Sequence, residues 1–155
     1  MVLERIKKMI WGIVIIVFCI ALDQVTKVIA RVSLQPKGSV TIIKNFFKLT
    51  YVENRGMAFG ALQNARWVFL IASTVMIVVI LLLIYKYHSK SKLFDVSLGL
   101  ILGGGIGNMI DRIKLGYVVD FFEAKFIDFP IFNVADIYVV VSMILIFILI
   151  IFKYS

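Results

Sequence analysis

The chain has 155 residues, of which 62% are hydrophobic and 17% charged, and its formal net charge is +8. Globular chains average about 45–50% apolar and about 25% charged residues, and a soluble domain this small buries too little of its surface to hide the surplus. The composition therefore excludes a disordered chain, argues against a soluble globule and calls for lipid.

The 17 Lys and Arg are dispersed between apolar runs and form no continuous footprint, so they read as membrane-surface charges and no nucleic acid is expected. One cysteine, Cys19, and one histidine, His88, exclude an intrachain disulfide, His-based triads and the usual zinc sets. No metal or cofactor is expected.

Arg5, Lys7 and Lys8 precede the first apolar run, Met9–Leu22. A cleaved signal peptide has that arrangement, but the helical pattern continues through Asp23 to Ala30 without a small-x-small cleavage site. A retained span over about residues 9–30 is expected. Asp23 and Lys27 stand four apart, acid first, as a helix-stabilising pair does; they read either as that pair or as an anchor to polar groups elsewhere. Pro36–Ser39 marks a turn, and Phe47–Val52 mixes alternation with β-branched and aromatic residues, a strand signal. Asn54–Gly60 reads as a turn or as one wall of a site.

The remaining uncharged runs are Trp67–Tyr85, Val96–Ile110 and Ile137–Phe152. Only the second of the four runs approaches the ~20 residues that cross a bilayer. The others reach that length only by taking in polar flanks, and the later spans are expected over about 67–85, 93–112 and 134–152. Lys and Arg are densest before residue 9 and in the Lys86–Lys92 loop, which places both termini in the cytoplasm. Residues 23–66 and 111–136 then share the outer face. With no repeat, linker or low-complexity tract, residues 1–155 are expected to form one domain.

Ionisable groups at membrane depth are costly and are functional candidates by default. On the third span Gly99, Gly103 and Gly107 form a bare face for close helix contact, followed by Asn108, Asp111 and Arg112 at i, i+3 and i+4. Asp111 and Arg112 form either an interfacial pair or part of a site. Asp120 is an isolated acid in Tyr117–Phe122. Asn133 and Asp136 read either as cap and third residue of the fourth helix or as site residues. Glu123 and Asp128 read as solvated loop acids. Without His or a usable Cys, the strongest catalytic proposal is two aspartates that share one proton around a water, one acting as acid and the other as base. A small transporter subunit would also place Asp, Arg and Asn at depth, but the polar clusters all gather on one side. A scaffold built on the glycines leaves Asp120 unexplained.

Five segments in order resemble the lipoprotein signal peptidase (signal peptidase II) family of bacterial membrane aspartyl endopeptidases: Asp23-x-x-x-Lys27, Asn54-x-Gly56-x-Ala58-Phe59, Gly104–Arg112, Gly116–Phe121 and Phe132–Asp136. The resemblance implies a mainly α integral membrane fold, four transmembrane helices with a small extracytoplasmic β-sheet, a cradle, between helices 1 and 2. It implies removal of the signal peptide from diacylglyceryl-modified prolipoproteins on the amino side of the lipidated cysteine, in the bacterial cytoplasmic membrane. On the matching positions Asp120 and Asp136 are the catalytic pair. Asn54, Gly56, Asn108, Asp111, Arg112, Asn133 and Ala135 line or support the site, and Asp23 and Lys27 place the first helix. The implied partners are prolipoprotein signal peptides and membrane lipids, with inhibition by globomycin-like cyclic peptides. Ser142 departs from the glycine common in the family six residues after the second aspartate.

Overall fold

The computed structural model describes residues 2–56, 63–87 and 91–154. Its elements run α1 (Val2–Leu34), β1 (Ser39–Ile43), β2 (Phe47–Asn54), α2 (Arg66–Tyr87), α3 (Lys92–Lys114), β3 (Val118–Ala124) and α4 (Val134–Tyr154). All four helices are long and apolar enough to cross a membrane, and their candidate spans are Ile10–Leu34, Arg66–Lys86, Lys92–Lys114 and Val134–Phe152. Helices α1, α3 and α4 take in the polar flanks that their shorter apolar runs required. Large side chains such as Trp11, Val17, Phe18, Ile71, Leu82 and Phe147 point outward, a surface compatible with acyl chains and not with water.

Helix α3 lies at the centre and packs against the other three, because its glycines present bare backbone in three directions. Gly99 and Gly103 meet Ile15 and Cys19 of α1, Gly104 meets the Ala135 carbonyl oxygen of α4, and Gly105 meets the Met76 methyl of α2. A Cβ at Gly107 would lie 2.5 Å from Asp23 Oδ2, so its missing side chain is the space that the acid occupies. Ser142 also serves this packing: its buried hydroxyl donates to Ser97 O at 2.6 Å, joining α4 to α3. At the position where the resemblance implies a glycine, the small Ser142 thus adds an interhelical hydrogen bond.

The strands form an antiparallel sheet in the order β1-β2-β3. The sequence expectation placed the sheet between helices 1 and 2, and this holds for two strands only; β3 comes from the segment between α3 and α4. A two-stranded hairpin is marginal in water and leaves an open edge on β2, which β3 fills. Gly116, at φ 85°, turns the chain from the end of α3 into β3, a backbone conformation that favours glycine. The sheet packs on the end of α1 through Ala30, Leu34, Val119 and Phe121. Beyond β3, Phe132 exchanges backbone hydrogen bonds with Phe122 at 2.8 and 3.1 Å, which draws Asn133 beside Asp120.

The glycine contacts predict unequal costs. Gly104→Ala presses a methyl on a backbone oxygen that cannot move independently, and should cost about 1–3 kcal/mol as an overpacked site. Gly105→Ala meets only a flexible methionine end and should cost less than about 1 kcal/mol. Thermal unfolding of the two variants in detergent micelles checks this ordering.

Candidate active site

The polar residues singled out from sequence converge at the end of the bundle that carries the sheet. The deepest group is built on helix spacing. Asp23 and Lys27 face the same side of α1, and their side chains are 0% and 2% exposed. Lys27 Nζ lies 3.0 Å from Asp23 Oδ2 and 3.1 Å from Asp111 Oδ2, and it donates to Asn108 Oδ1 at 2.8 Å. Both readings of the Asp23–Lys27 spacing therefore apply: the pair forms within α1 and also anchors that helix to α3. Asp111 pairs with Lys27, not Arg112, and accepts the Val119 N–H at 3.0 Å, fixing the start of β3 against α3. Asp23 Oδ1 accepts the Ala135 N–H at 3.1 Å, one of the donors that a helix start leaves unpaired.

Gln24, which the sequence reading passed over, bridges these acids. Its amide nitrogen lies 3.0 Å from Asp111 Oδ1, 3.2 Å from Asp23 Oδ2 and 3.2 Å from Gly107 O. Its signal was available: an amide beside Asp23, inside a span that otherwise runs apolar.

The rest of the site is two carboxylates joined by asparagines. Asn133 caps α4 as Asp136 N–H donates to Asn133 Oδ1 and Asn133 N–H donates to Asp136 Oδ2, both at 3.1 Å. This is a reciprocal capping box with the acid at N3, so Asn133 and Asp136 cap the helix and sit in the site at once. Asn133 Nδ2 donates to Asp120 Oδ1 at 2.6 Å and lies 3.1 Å from Asn108 Oδ1. Asn108 Nδ2 donates to Asp136 Oδ1 at 2.9 Å. On the far side Asn54 Nδ2 donates to Asp120 Oδ2 at 2.8 Å, its amide oriented by the buried Gly56, whose N–H donates to Asn54 Oδ1 at 3.0 Å. Ala58 and Phe59 of that motif lie outside the described residues.

Asp120 is 2% exposed. Burial pushes its carboxyl up to about 7 and the Asp136 charge adds to the rise, while hydrogen bonds from Asn54 and Asn133 and the Lys27 charge oppose it. Desolvation thus outweighs two donors, and Asp120 holds a proton near neutrality. Arg112 lies over the Phe69 ring, its guanidinium carbon 4.7 Å from the centroid, and makes one long contact to Asn108 O at 3.5 Å. Glu123 corrects its reading as a solvated loop acid: it is on β3 and half-buried, accepts from Thr50 and Lys125, and these hydrogen bonds hold its carboxyl below the usual range. Asp128 is exposed in a turn, as expected.

A buried polar site at one end of a four-helix bundle with lipid-compatible flanks defines a multi-pass membrane protein. Residues 15–152 match the family model described as signal peptidase (SPase) II. A lipoprotein signal peptidase of Caldanaerobacter subterraneus subsp. tengcongensis is 51% identical over 92% of this chain and 97% of its own length. One from Clostridioides difficile is 41% identical over 90% and 94%. Two solved chains, each titled a bacterial membrane enzyme structure, superpose with TM-scores of 0.87 and 0.82 at 33% identity, covering 93% and 90% of this chain and 89% and 91% of their own. The chain belongs to the signal peptidase II family, the lipoprotein signal peptidases.

Lys27→Met should leave Asp23 and Asp111 without their shared counter-charge and cost about 3–5 kcal/mol, as for a broken buried ion pair. Asp128→Asn, on the exposed turn, should stay within about 0.5 kcal/mol. Denaturant unfolding in micelles measures both.

Proposed function

We propose that the chain is a single-domain aspartyl endopeptidase that removes the signal peptide from diacylglyceryl-modified prolipoproteins, cutting on the amino side of the lipidated cysteine. The observation that carries this reading is the pair Asp120 and Asp136, each hydrogen-bonded to Asn133 and placed at the sheet end of the bundle, in a family of membrane peptidases.

The two carboxylates share one proton, and Asp120 is its natural holder because burial disfavours its charge. Asp136, at the third position of α4, has the helix N-terminal dipole behind it and takes the base role. Asp136 accepts a proton from a water as the hydroxyl adds to the scissile carbonyl, while Asp120 gives its proton to the carbonyl oxygen. Collapse of the resulting diol returns a hydroxyl proton to Asp120, and Asp136 delivers its proton to the departing amine. Each carboxyl ends as it began. The Asn54 and Asn108 amides and the Arg112 charge provide dipoles that need no reorganisation as charge develops.

Both termini lie in the cytoplasm under this reading, and the sheet and site face outward from the bacterial cytoplasmic membrane. The lipidated substrate enters sideways from the bilayer, and a globomycin-like cyclic peptide occupies the same space as an inhibitor. A site at lipid depth suits a substrate that stays in lipid.

Asp120→Asn and Asp136→Asn should each lower cleavage of a lipidated prolipoprotein by at least about 100-fold, the range of lost acid–base catalysis, with the fold retained. Near-normal processing by either variant overturns the assignment. Asp111→Asn tests a supporting role: its activity should fall in step with stability.

The pH dependence has a defined sign. A carboxyl raised from 3.8 to about 7 on folding binds its proton more tightly in the folded state, so this group's contribution makes stability fall as pH rises through that window. Cleavage should decline as pH passes about 7 and Asp120 loses the proton it donates. Asp120→Asn should flatten its share of the stability slope between about pH 4 and pH 7, read from thermal midpoints.

A further inference from the structure

A second polar feature adjoins the site and reaches Val119, the residue before Asp120. Residues 24, 27, 28 and 31 of α1 follow helical spacing and form one stripe, as do 111 and 114 of α3 with the capping Leu115. Where the two stripes face each other they flank a partly open cavity of 120 Å³, also lined by Val119 of β3, room for a tetrahedral oxyanion or several waters. Its floor is Lys27 and Asp111, its walls include Val28 and Leu115, and it also carries Arg31 and Lys114.

The charges are uneven. Lys27 is neutralised by Asp23 and Asp111, and the Asp111 oxygens are occupied by Lys27, Gln24 and the Val119 N–H. Arg31 and Lys114 have no ion-pair or hydrogen-bond partner among the described residues. Cations in the last turns of helices complement the macrodipole, but that role requires no cavity between them. Two unpaired cations from separate helices, set over a polar floor with apolar walls, match an anionic group attached to an apolar body.

We propose that this cavity binds the phosphodiester of an anionic phospholipid, with Arg31 and Lys114 as its ligands and Val28 and Leu115 against the glycerol. The helix ends place both cations where a span ends, at the depth of lipid phosphates. Because Lys27 lies beneath the cavity and also donates to Asn108, the bound lipid sits one residue from the carboxylate network.

The test uses the full chain purified in a neutral detergent, with phosphatidylglycerol, a phosphate-free glycosyl diacylglycerol and inorganic phosphate as probes. Native mass spectrometry and thermal midpoints should show one phosphatidylglycerol retained with stabilisation, and neither effect from the glycolipid. In Arg31→Gln/Lys114→Gln the phosphatidylglycerol affinity should fall at least about tenfold, as two charge-assisted contacts are lost. Basal cleavage in neutral detergent should stay within about twofold, showing that the variant folds. Lys37→Gln/Lys44→Gln, which removes two cations from the sheet side, should bind like the parent. Equal retention by both double variants, or equal stabilisation by the glycolipid, overturns the site. Protection by inorganic phosphate alone, lost in the Arg31/Lys114 variant, supports the oxyanion site but overturns the lipid as its ligand.

Discussion

The Lys27 ammonium, 2% exposed among the helices, is the constraint on which the rest depends. Its charge is tolerable only because Asp23 and Asp111 lie within 3.1 Å and Asn108 accepts its remaining donor capacity. Each partner carries the constraint into another element. Asp23 holds the first turn of α4 through Ala135, and Asp111 holds β3 through Val119. One ammonium therefore ties together α1, α3, α4 and β3, the elements that supply Asn108, Asp120, Asn133 and Asp136. Such a pair adds little net stability compared with a well-packed apolar core. Its contribution is to admit one arrangement of these four elements.

The same charge sets the polarity of the site. An ammonium facing Asn108 requires the amide oxygen on that side, which turns its nitrogen towards Asp136. Asn133 is oriented independently, because its oxygen caps α4 and its nitrogen is left for Asp120. The carboxylates thus receive donors whose directions are decided by a buried ion cluster and a helix cap. The glycines make this possible. A side chain at Gly107 would displace the Asp23 carboxylate, and one at Gly104 would push α4 away at the residue before Asp136. Close packing and charge placement are one requirement here.

The short apolar runs follow from this arrangement. A span of ordinary length would fill the end beside the sheet with leucine and valine. Helices α1, α3 and α4 give that end to Lys27, Asp111 and Asp136, which lipid would reject were they not turned inward onto one another. The outward surface remains apolar along the helices, so the bundle presents lipid-compatible flanks and keeps its polar groups where the spans converge.

From residues alone one could read the membrane class, the four spans, the glycine face of α3 and a polar cluster at one end containing Asp23, Lys27, Asn108, Asp111, Asp120, Asn133 and Asp136. These signals are legible because they are local: apolar run length, helical spacing and the rarity of charge in such a chain. Pairings across elements were not legible. That Asp111 belongs with Lys27 and not with its neighbour Arg112, that Gln24 bridges two acids, that Val118–Ala124 supplies the third strand, and that Glu123 is held by Thr50 all depend on contacts between residues distant in sequence. Spacing shows which side chains share a face of one helix; only the packing of α1 and α4 against α3 decides which faces meet.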